Sequence, residues 1–269
     1  MDRTVVITGA SSGVGLAAAE QLAAQGDQVV VVGRDPQRLA AAVAKVRQAG
    51  NGREPGRFRA DFESFQQVRD LATYLLETYP RIDVLANNAG GMIANYRRTA
   101  DGYEATVQGN HLGPFLLTNL LRERLAGGRI VNTASDAHRS GRPDPDNFAG
   151  NGKYRSFQTY GAAKSANILF ASEAARRWPD ITSVSFHPGV VRTNFGDGTL
   201  TRLFYRYAPL LVTPEKAGAL LVRLATIPAK GLVDGGYYVG HDPKKPASYA
   251  ADPAAAARLW AASEAAVGI

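Results

Sequence analysis

The feature that most restricts the fold of this chain lies at its start. Thr4-Val5-Val6-Ile7-Thr8 is a short β-branched run of the kind buried on both faces of a parallel sheet. Gly9-Ala10-Ser11-Ser12-Gly13-Val14-Gly15 follows, and then Leu16–Gln25, a good helix former. A strand, a glycine-rich turn and a helix start in that order make a phosphate cradle. Glycines let the backbone come close, and the N–H groups of the first helical turn face the anion. The spacing is Gly-x-x-x-Gly-x-Gly and not the commoner Gly-x-Gly-x-x-Gly. A glycine turn can be purely structural, but the strand before it and the helix after it favour binding through Gly9, Ser11, Ser12, Gly13, Val14 and Gly15.

The alternation continues. Gln28–Val32 reads as a second buried strand, Pro36–Ala49 as a helix, Arg57–Ala60 as a short strand ending at Asp61-Phe62, and Ser64–Thr78 as a helix capped by Ser64. Ile82–Ala86 is a strand ending in Asn87-Asn88-Ala89-Gly90. Later strands fall at Arg129–Ala134, Thr182–Phe186 and Gly236–Val239, and later helices at Pro214–Thr226 and Pro253–Val267. Strand and helix taking turns predicts an α/β fold over residues 1–269: one domain, a doubly wound Rossmann-type parallel sheet with helices on both faces. Ligands of such sheets lie beyond the carboxyl ends of the strands. The second strand ends at Gly33, leaving no carboxylate for a ribose, and Arg34 follows. That predicts NADP(H), with Arg34 clamping the 2′-phosphate and Arg38 in support. Asp35 is either the acidic residue displaced by one position or the cap of the next helix.

The remaining composition is permissive. With 45% hydrophobic and 20% charged residues the chain reads as an ordinary soluble globular protein. There is no cysteine, hence no disulfide framework or thiolate nucleophile, which fits a cytoplasmic location. No apolar stretch reaches the ~18 residues of a membrane span, so no integral membrane segment is expected. The net charge of +7 is spread along the chain instead of forming a basic run, which argues against nucleic acid. His111, His138, His187 and His241 show no metal-ligand spacing, and no metal is expected.

Tyr160-Gly161-Ala162-Ala163-Lys164 opens a helical run. On a helix, Tyr160 and Lys164 project from one face, one turn apart. A tyrosine with its usual pKa of about 10 is a poor proton carrier at neutral pH, and a nearby ammonium favours the phenolate. In isolation the pair reads equally as a packed ring beside a snorkelling lysine.

The residues Thr8-Gly9-x-x-x-Gly13-x-Gly15, Asp61, Asn87-Asn88-Ala89-Gly90, Asn110, Ser135, Tyr160-x-x-x-Lys164 and Pro188-Gly189, taken in this order, resemble the short-chain dehydrogenase/reductase family over nearly the whole chain. The Asn110-His111-Leu112-Gly113-x-Phe115 and Asn132-x-x-Ser135-x-Ala137-His138 runs are similar to its branch of retinol dehydrogenases and WW-domain oxidoreductases. The resemblance implies an NADPH-dependent oxidoreductase. Tyr160 would exchange the proton, Ser135 would bond the substrate oxygen, Lys164 would tune Tyr160 and bind the nicotinamide ribose, and Asn110 would hold a water leading to Lys164. It also implies Asp61 on the adenine with Phe62 beside it, Asn87, Ala89 and Gly90 at the adenosine ribose, and Pro188, Gly189, Val191 and Thr193 around the nicotinamide. Rival readings stand beside these: a capping role for Asp61 and Ser135, a helix kink at Asn110, a turn requirement at Gly90. A homodimer or homotetramer is what the family suggests.

Tyr160 lies 25 positions after Ser135, a longer connection than the family's usual one. The intervening Ala137–Gln158, rich in Gly, Pro, Asp and Arg, is expected as a loop near the mouth of the site, or as a surface excursion. A second wall is expected at about 194–213, where Leu200, Leu203, Phe204 and Tyr207 share one helical face. It reads as a lid over a lipophilic carbonyl or alcohol substrate, as core packing, or as a weak membrane contact. A non-catalytic NADP-binding sensor, or an epimerase or lyase on the same scaffold, is the competing functional class. The cofactor expectation is tested by KM for NADPH against NADH: NADPH should be the lower, and a preference of about tenfold or more for NADH removes the assignment.

Overall fold

The computed structural model describes residues 3–191 and 211–269. The Thr193 contact and nearly all of the expected lid lie outside the described residues.

Among the described residues seven parallel strands form the sheet: β1 (Thr4–Thr8), β2 (Gln28–Gly33), β3 (Gly56–Arg59), β4 (Val84–Asn87), β5 (Arg129–Thr133), β6 (Thr182–His187) and β7 (Tyr237–Val239). Their spatial order is β3-β2-β1-β4-β5-β6-β7, and β8 (Asp242–Lys244) closes the edge antiparallel to β7. The order reverses between β1 and β4, which opens a crevice at their carboxyl ends.

Alternation along each strand divides the core between the two faces. Val6, Val30 and Leu85 pack with Leu71, Phe115, Phe170 and Trp260 on one side. Val5, Ile7, Val31 and Ala86 pack with Leu22, Leu39 and Leu221 on the other. This is the doubly wound α/β arrangement that the strand-and-helix pattern predicts. The helices on its faces include α1 (Gly13–Ala24), α2 (Pro36–Ala49), α3 (Phe65–Thr78), α4 (Ala105–Val107), α5 (Gly113–Leu120), α6 (Ser156–Arg177), α7 (Pro214–Thr226) and α8 (Pro253–Val267). Side-chain caps set several starts: Asp35 accepts from Arg38 N at 2.8 Å, Ser64 from Gln67 N at 3.4 Å, and Asp252 from Ala254 N at 2.9 Å. Four of these helices carry proline in the first turn.

Several features depart from the sequence expectation. Helix α6 begins at Ser156, one turn before Tyr160 and within the stretch expected as a loop. Helix α1 begins within the glycine turn, at Gly13 instead of Leu16. β8 is unexpected because all three of its residues are exposed and carry no apolar alternation; backbone pairing after the Gly240 turn makes it. Between α4 and α5 the chain makes a π turn, Gln108–Leu112. Among the described residues no helix is long and apolar enough to cross a membrane.

The π turn holds the buried His111 among Phe115, Phe148 and Phe170. Ser263 Oγ donates to Leu259 O at 2.8 Å, so its oxygen accepts from His111 Nε2–H at 2.9 Å. Burial pushes the His111 pKa down from 6.5 to about 4. A ring that resists protonation only when folded contributes stability above pH 6.5, and this is lost as pH falls toward 4. The loss is on the order of 3 kcal/mol. His111→Gln keeps a donor to Ser263 without titrating, so its Tm should fall less between pH 7 and 4.5 than the parent's. Equal falls would exclude the linkage.

Candidate active site

A cleft of about 1490 Å³ follows the carboxyl edge of the sheet, larger than the roughly 300–1,000 Å³ of a single small-molecule pocket. At one end is the glycine turn. Gly9 and Gly13 have φ of +67° and +57°, and a Cβ on Gly9 would stand 2.8 Å from Ala89 Cα. The turn is pressed onto the end of β4 by a clamp across the switch point. Thr8 Oγ1 accepts from Asn88 N and Ala89 N, both at 2.9 Å, and Asn88 Nδ2 donates to Thr8 O at 3.0 Å. Ser12, at the N-cap of α1, makes no side-chain capping bond, and Gly13 and Val14 of the first turn line the cleft. Open donors at a helix start, beneath a turn too tight for a Cβ, fit the diphosphate of a dinucleotide.

The other end is built on α6. Gly161 has no side chain because a Cβ there would meet Ser140 Oγ at 2.3 Å and Ala137 O at 2.4 Å. The turn after β5 therefore lies directly on the helix, next to Tyr160. Ser135 begins that turn. Its Oγ accepts from Ala137 N at 3.2 Å, which leaves its own O–H to give. His138 holds the turn from below: Nε2 accepts from Ala247 N at 3.1 Å, so Nδ1 carries the proton donated to Ser135 O at 2.8 Å. His187 Nδ1 accepts from Asp136 N at 3.2 Å. Burial lowers the pKa of both rings, and both serve as neutral braces.

Tyr160 and Lys164 stand together, with Nζ 5.3 Å from the centroid of the phenol ring. Lys164 is 3% exposed, and Nζ donates to Thr133 O at 3.2 Å. Burial pulls its ammonium down from 10.5 to about 7. Asn110, in the π turn, donates from Nδ2 to Gly91 O at 2.9 Å and to Thr106 O at 2.8 Å, and its Oδ1 accepts from Gly91 N at 3.1 Å. A Cβ on Gly90 would lie 2.2 Å from Asn110 Oδ1 and 3.4 Å from Lys164 Nζ, so Gly90 is both the turn residue and the point where these two groups converge.

Of the residues expected at the site, Gly9, Ser11, Ser12, Gly13, Val14, Arg34, Asp61, Phe62, Ala89, Gly90, Asn110, Ser135, Tyr160, Lys164, Pro188, Gly189 and Val191 line this cleft. Gly15 and Asn87 stand behind its wall. Gly15 packs against Asn88 Nδ2 and Gly9 O, each 2.6 Å from where a Cβ would be. Asn87 follows Leu85 by two positions and so faces the same core; its Nδ2 donates to Thr118 Oγ1 and Asn132 Oδ1 at 3.0 Å. Asn88 is the asparagine on the cleft. Asp35 is the cap of α2, and Arg34 pairs with Glu63 at 3.5 Å. Thr8, Asn88 and Glu63 carry no site role in the sequence reading; only the neighbourhood of β1 with β4 and of β2 with β3 brings them in.

The Ser135–Tyr160 connection forms a 3₁₀ turn at Asp136–Ser140 and then packs on residues 91–105: Tyr154 donates to Ile93 O at 2.6 Å, and Glu104 N to Phe148 O at 2.9 Å. Met92, Ile93, Phe157 and Val190 give this end of the cleft an apolar lining. Val212 N donates to Val190 O at 2.9 Å, so the chain re-enters the described region beside the point where it left.

Comparison with known proteins agrees with this geometry. A profile of the family described as short chain dehydrogenase matches residues 3–201. A candidate daunorubicin C-13 ketoreductase, DnrU of Streptomyces sp. (strain C5), is 52% identical over 267 residues, covering 99% of this chain and 93% of the relative. Retinol dehydrogenase 13 of Homo sapiens is 35% identical, covering 99% and 85% respectively. A solved structure of an uncharacterized protein from Mycobacterium Paratuberculosis superposes with a TM-score of 0.81 at 31% identity, covering 99% of this chain and 93% of that one. A short chain dehydrogenase from Burkholderia cenocepacia J2315 in complex with NADP superposes with a TM-score of 0.71 at 26% identity, covering 87% and 94%.

The buried ammonium has a cost that can be measured. The unfolded chain holds this proton up to pH 10.5 and the folded chain only to about 7, so the penalty is full below pH 7 and is relieved between 7 and 10.5. It is on the order of 5 kcal/mol. Lys164→Met should therefore raise Tm at pH 7 by at least about 5 °C while lowering kcat by about 10²-fold or more. A lower Tm would show that Lys164 is a structural cation.

Proposed function

The chain belongs to the short-chain dehydrogenase family of oxidoreductases, and from that premise we propose that it reduces a lipophilic aldehyde or ketone to the alcohol, reversibly, with NADPH. The observation that carries this reading is the meeting of Ser135, Tyr160 and Lys164 at one end of a cleft whose other end is the glycine turn. Bound NADPH supplies hydride to the carbonyl carbon. The chain does the rest: Ser135 O–H and Tyr160 O–H hold the carbonyl oxygen, and the phenol gives its proton as charge develops there. Lys164 Nζ, fixed by Thr133 O, stabilises the phenolate that remains. Asn110 keeps Gly90–Gly91 in place beside that ammonium. The oxidation runs the same path backward.

Several features support the substrate class. The mouth is apolar at Met92, Ile93, Phe157 and Val190, and Phe157, three residues before Tyr160, is 55% exposed. The 52% identity to a candidate daunorubicin ketoreductase makes a ketone on a ring system the first choice, and the retinol dehydrogenase relatives add lipophilic aldehydes. NADPH over NADH rests on Gly33 and Arg34 at the end of β2, with Asp35 engaged in capping. A cytoplasmic setting rests on the absence of cysteine and the need for reduced cofactor.

A panel of lipophilic aldehydes, steroids and polycyclic ketones with NADPH, run beside Tyr160→Phe and Ser135→Ala, tests the reading. At least one member should be turned over, with kcat lowered about 10³-fold in Tyr160→Phe and about 10²-fold in Ser135→Ala while NADPH affinity is kept. Tight NADPH binding with no turnover on any member would instead mark a sensor.

A further inference from the structure

The end of β2 carries no acid, yet a carboxylate occupies the same corner. After β3 the chain runs along the end of β2, with Ala60 N donating to Gly33 O at 3.2 Å and Arg59 Nε to Arg34 O at 3.1 Å. This brings Glu63 to the cleft wall, where Oε1 lies 3.5 Å from Arg34 Nη1 and Oε2 bonds Arg97 Nη2. The acid is the fixed partner: its side chain is 14% exposed and its N–H is held by Asp61 Oδ1 at 3.1 Å. Arg34 is 70% exposed, and its 3.5 Å contact is looser than a charge-assisted hydrogen bond. Such a pair exchanges easily. The other acids at this corner are engaged with backbone: Asp35 accepts from Arg38 N and Asp61 from Glu63 N.

We propose that Glu63 and Arg34 together read the 2′ position of the adenosine ribose, with Glu63 acting against the phosphate and for the hydroxyl. Before a 2′-phosphate Arg34 leaves Glu63 for the new anion, and the carboxylate left behind repels it. Before a 2′-hydroxyl Glu63 accepts the O–H and Arg34 stays with it. The preference for NADPH is thereby narrowed, and NADH remains a usable ligand. The inference rests on the reading that a nicotinamide dinucleotide occupies this cleft, and it names the specificity residue that the sequence pattern omits.

Dissociation constants of NADPH, NADH, 2′,5′-ADP and 5′-AMP, measured by fluorescence or calorimetry at low and high salt for the parent, Glu63→Gln and Arg34→Ala, test it without turnover. Glu63→Gln should bind NADPH and 2′,5′-ADP about tenfold tighter at low salt, with NADH and 5′-AMP unchanged or weaker. The gain should shrink as salt screens the lost repulsion. Arg34→Ala should weaken only the two 2′-phosphorylated probes. A Glu63→Gln protein that binds all four probes equally altered, or the phosphorylated pair no tighter, overturns the proposal. A parent protein that binds none of the four overturns the dinucleotide reading itself.

Discussion

The arrangement depends on one unfavourable interaction, an ammonium held almost out of water. Lys164 Nζ has Thr133 O at 3.2 Å and the Tyr160 ring beneath it, and burial brings its pKa to about 7. Left alone, such a group would turn outward to water. What prevents this is the packing of α6, whose buried side runs from Tyr160 through Ser165 to Phe170. Gly161 lets the Ser135 turn sit on the helix, and Ser165 Oγ reaches His138 O at 2.9 Å and Gly141 O at 2.8 Å. The amine is therefore kept beside the Tyr160 ring, in a region of low dielectric.

A second constraint locates the cleft. Parallel strands leave their carboxyl ends bare, and at the switch point β1 and β4 part company above their last pairing, Ile7 with Ala86. Thr8 and Asn88 close that gap from beneath by bonding each other's backbone, so the glycine turn and the Ala89–Gly90 turn become opposite banks of one crevice. The turns themselves need glycine because neighbouring backbone occupies the place of a side chain.

The parts of this architecture legible in the sequence are those with a local cause. Val29 to Val32 must be a buried strand whatever surrounds it, and Asp35-Pro36 or Asp252-Pro253 starts a helix by its own chemistry. Tyr160, Lys164 and Ser135 could be named because their types and order match a known pattern. What escaped depends on which face or which neighbour a residue meets. Asn87 and Asn88 look alike in sequence, but the pleat sends the first into the core beside Thr118 and the second to the cleft. Glu63 reads as one more residue before a helix until β3 is seen lying next to β2. The π turn has no composition signal beyond an asparagine, and Asn110 supports it by taking Thr106 O.

The two halves of the cleft are built differently, and this decides where specificity can reside. The cofactor half is mostly backbone: glycine turns, first-turn N–H groups and strand ends, all set by sheet geometry and hard to vary without breaking the fold. Its adjustable elements are the charged side chains at the rim, Arg34 and Glu63 above all. The substrate half is mostly side chain, with Met92, Ile93 and Val190 carried by loops and Phe157 by the first turn of α6, and the loops are braced by bonds such as that of Tyr154 to Ile93 O. The Ser135 turn is held separately, from the opposite side, by His138 and Ala247. A scaffold of this kind keeps one proton-transfer geometry while its choice of carbonyl drifts.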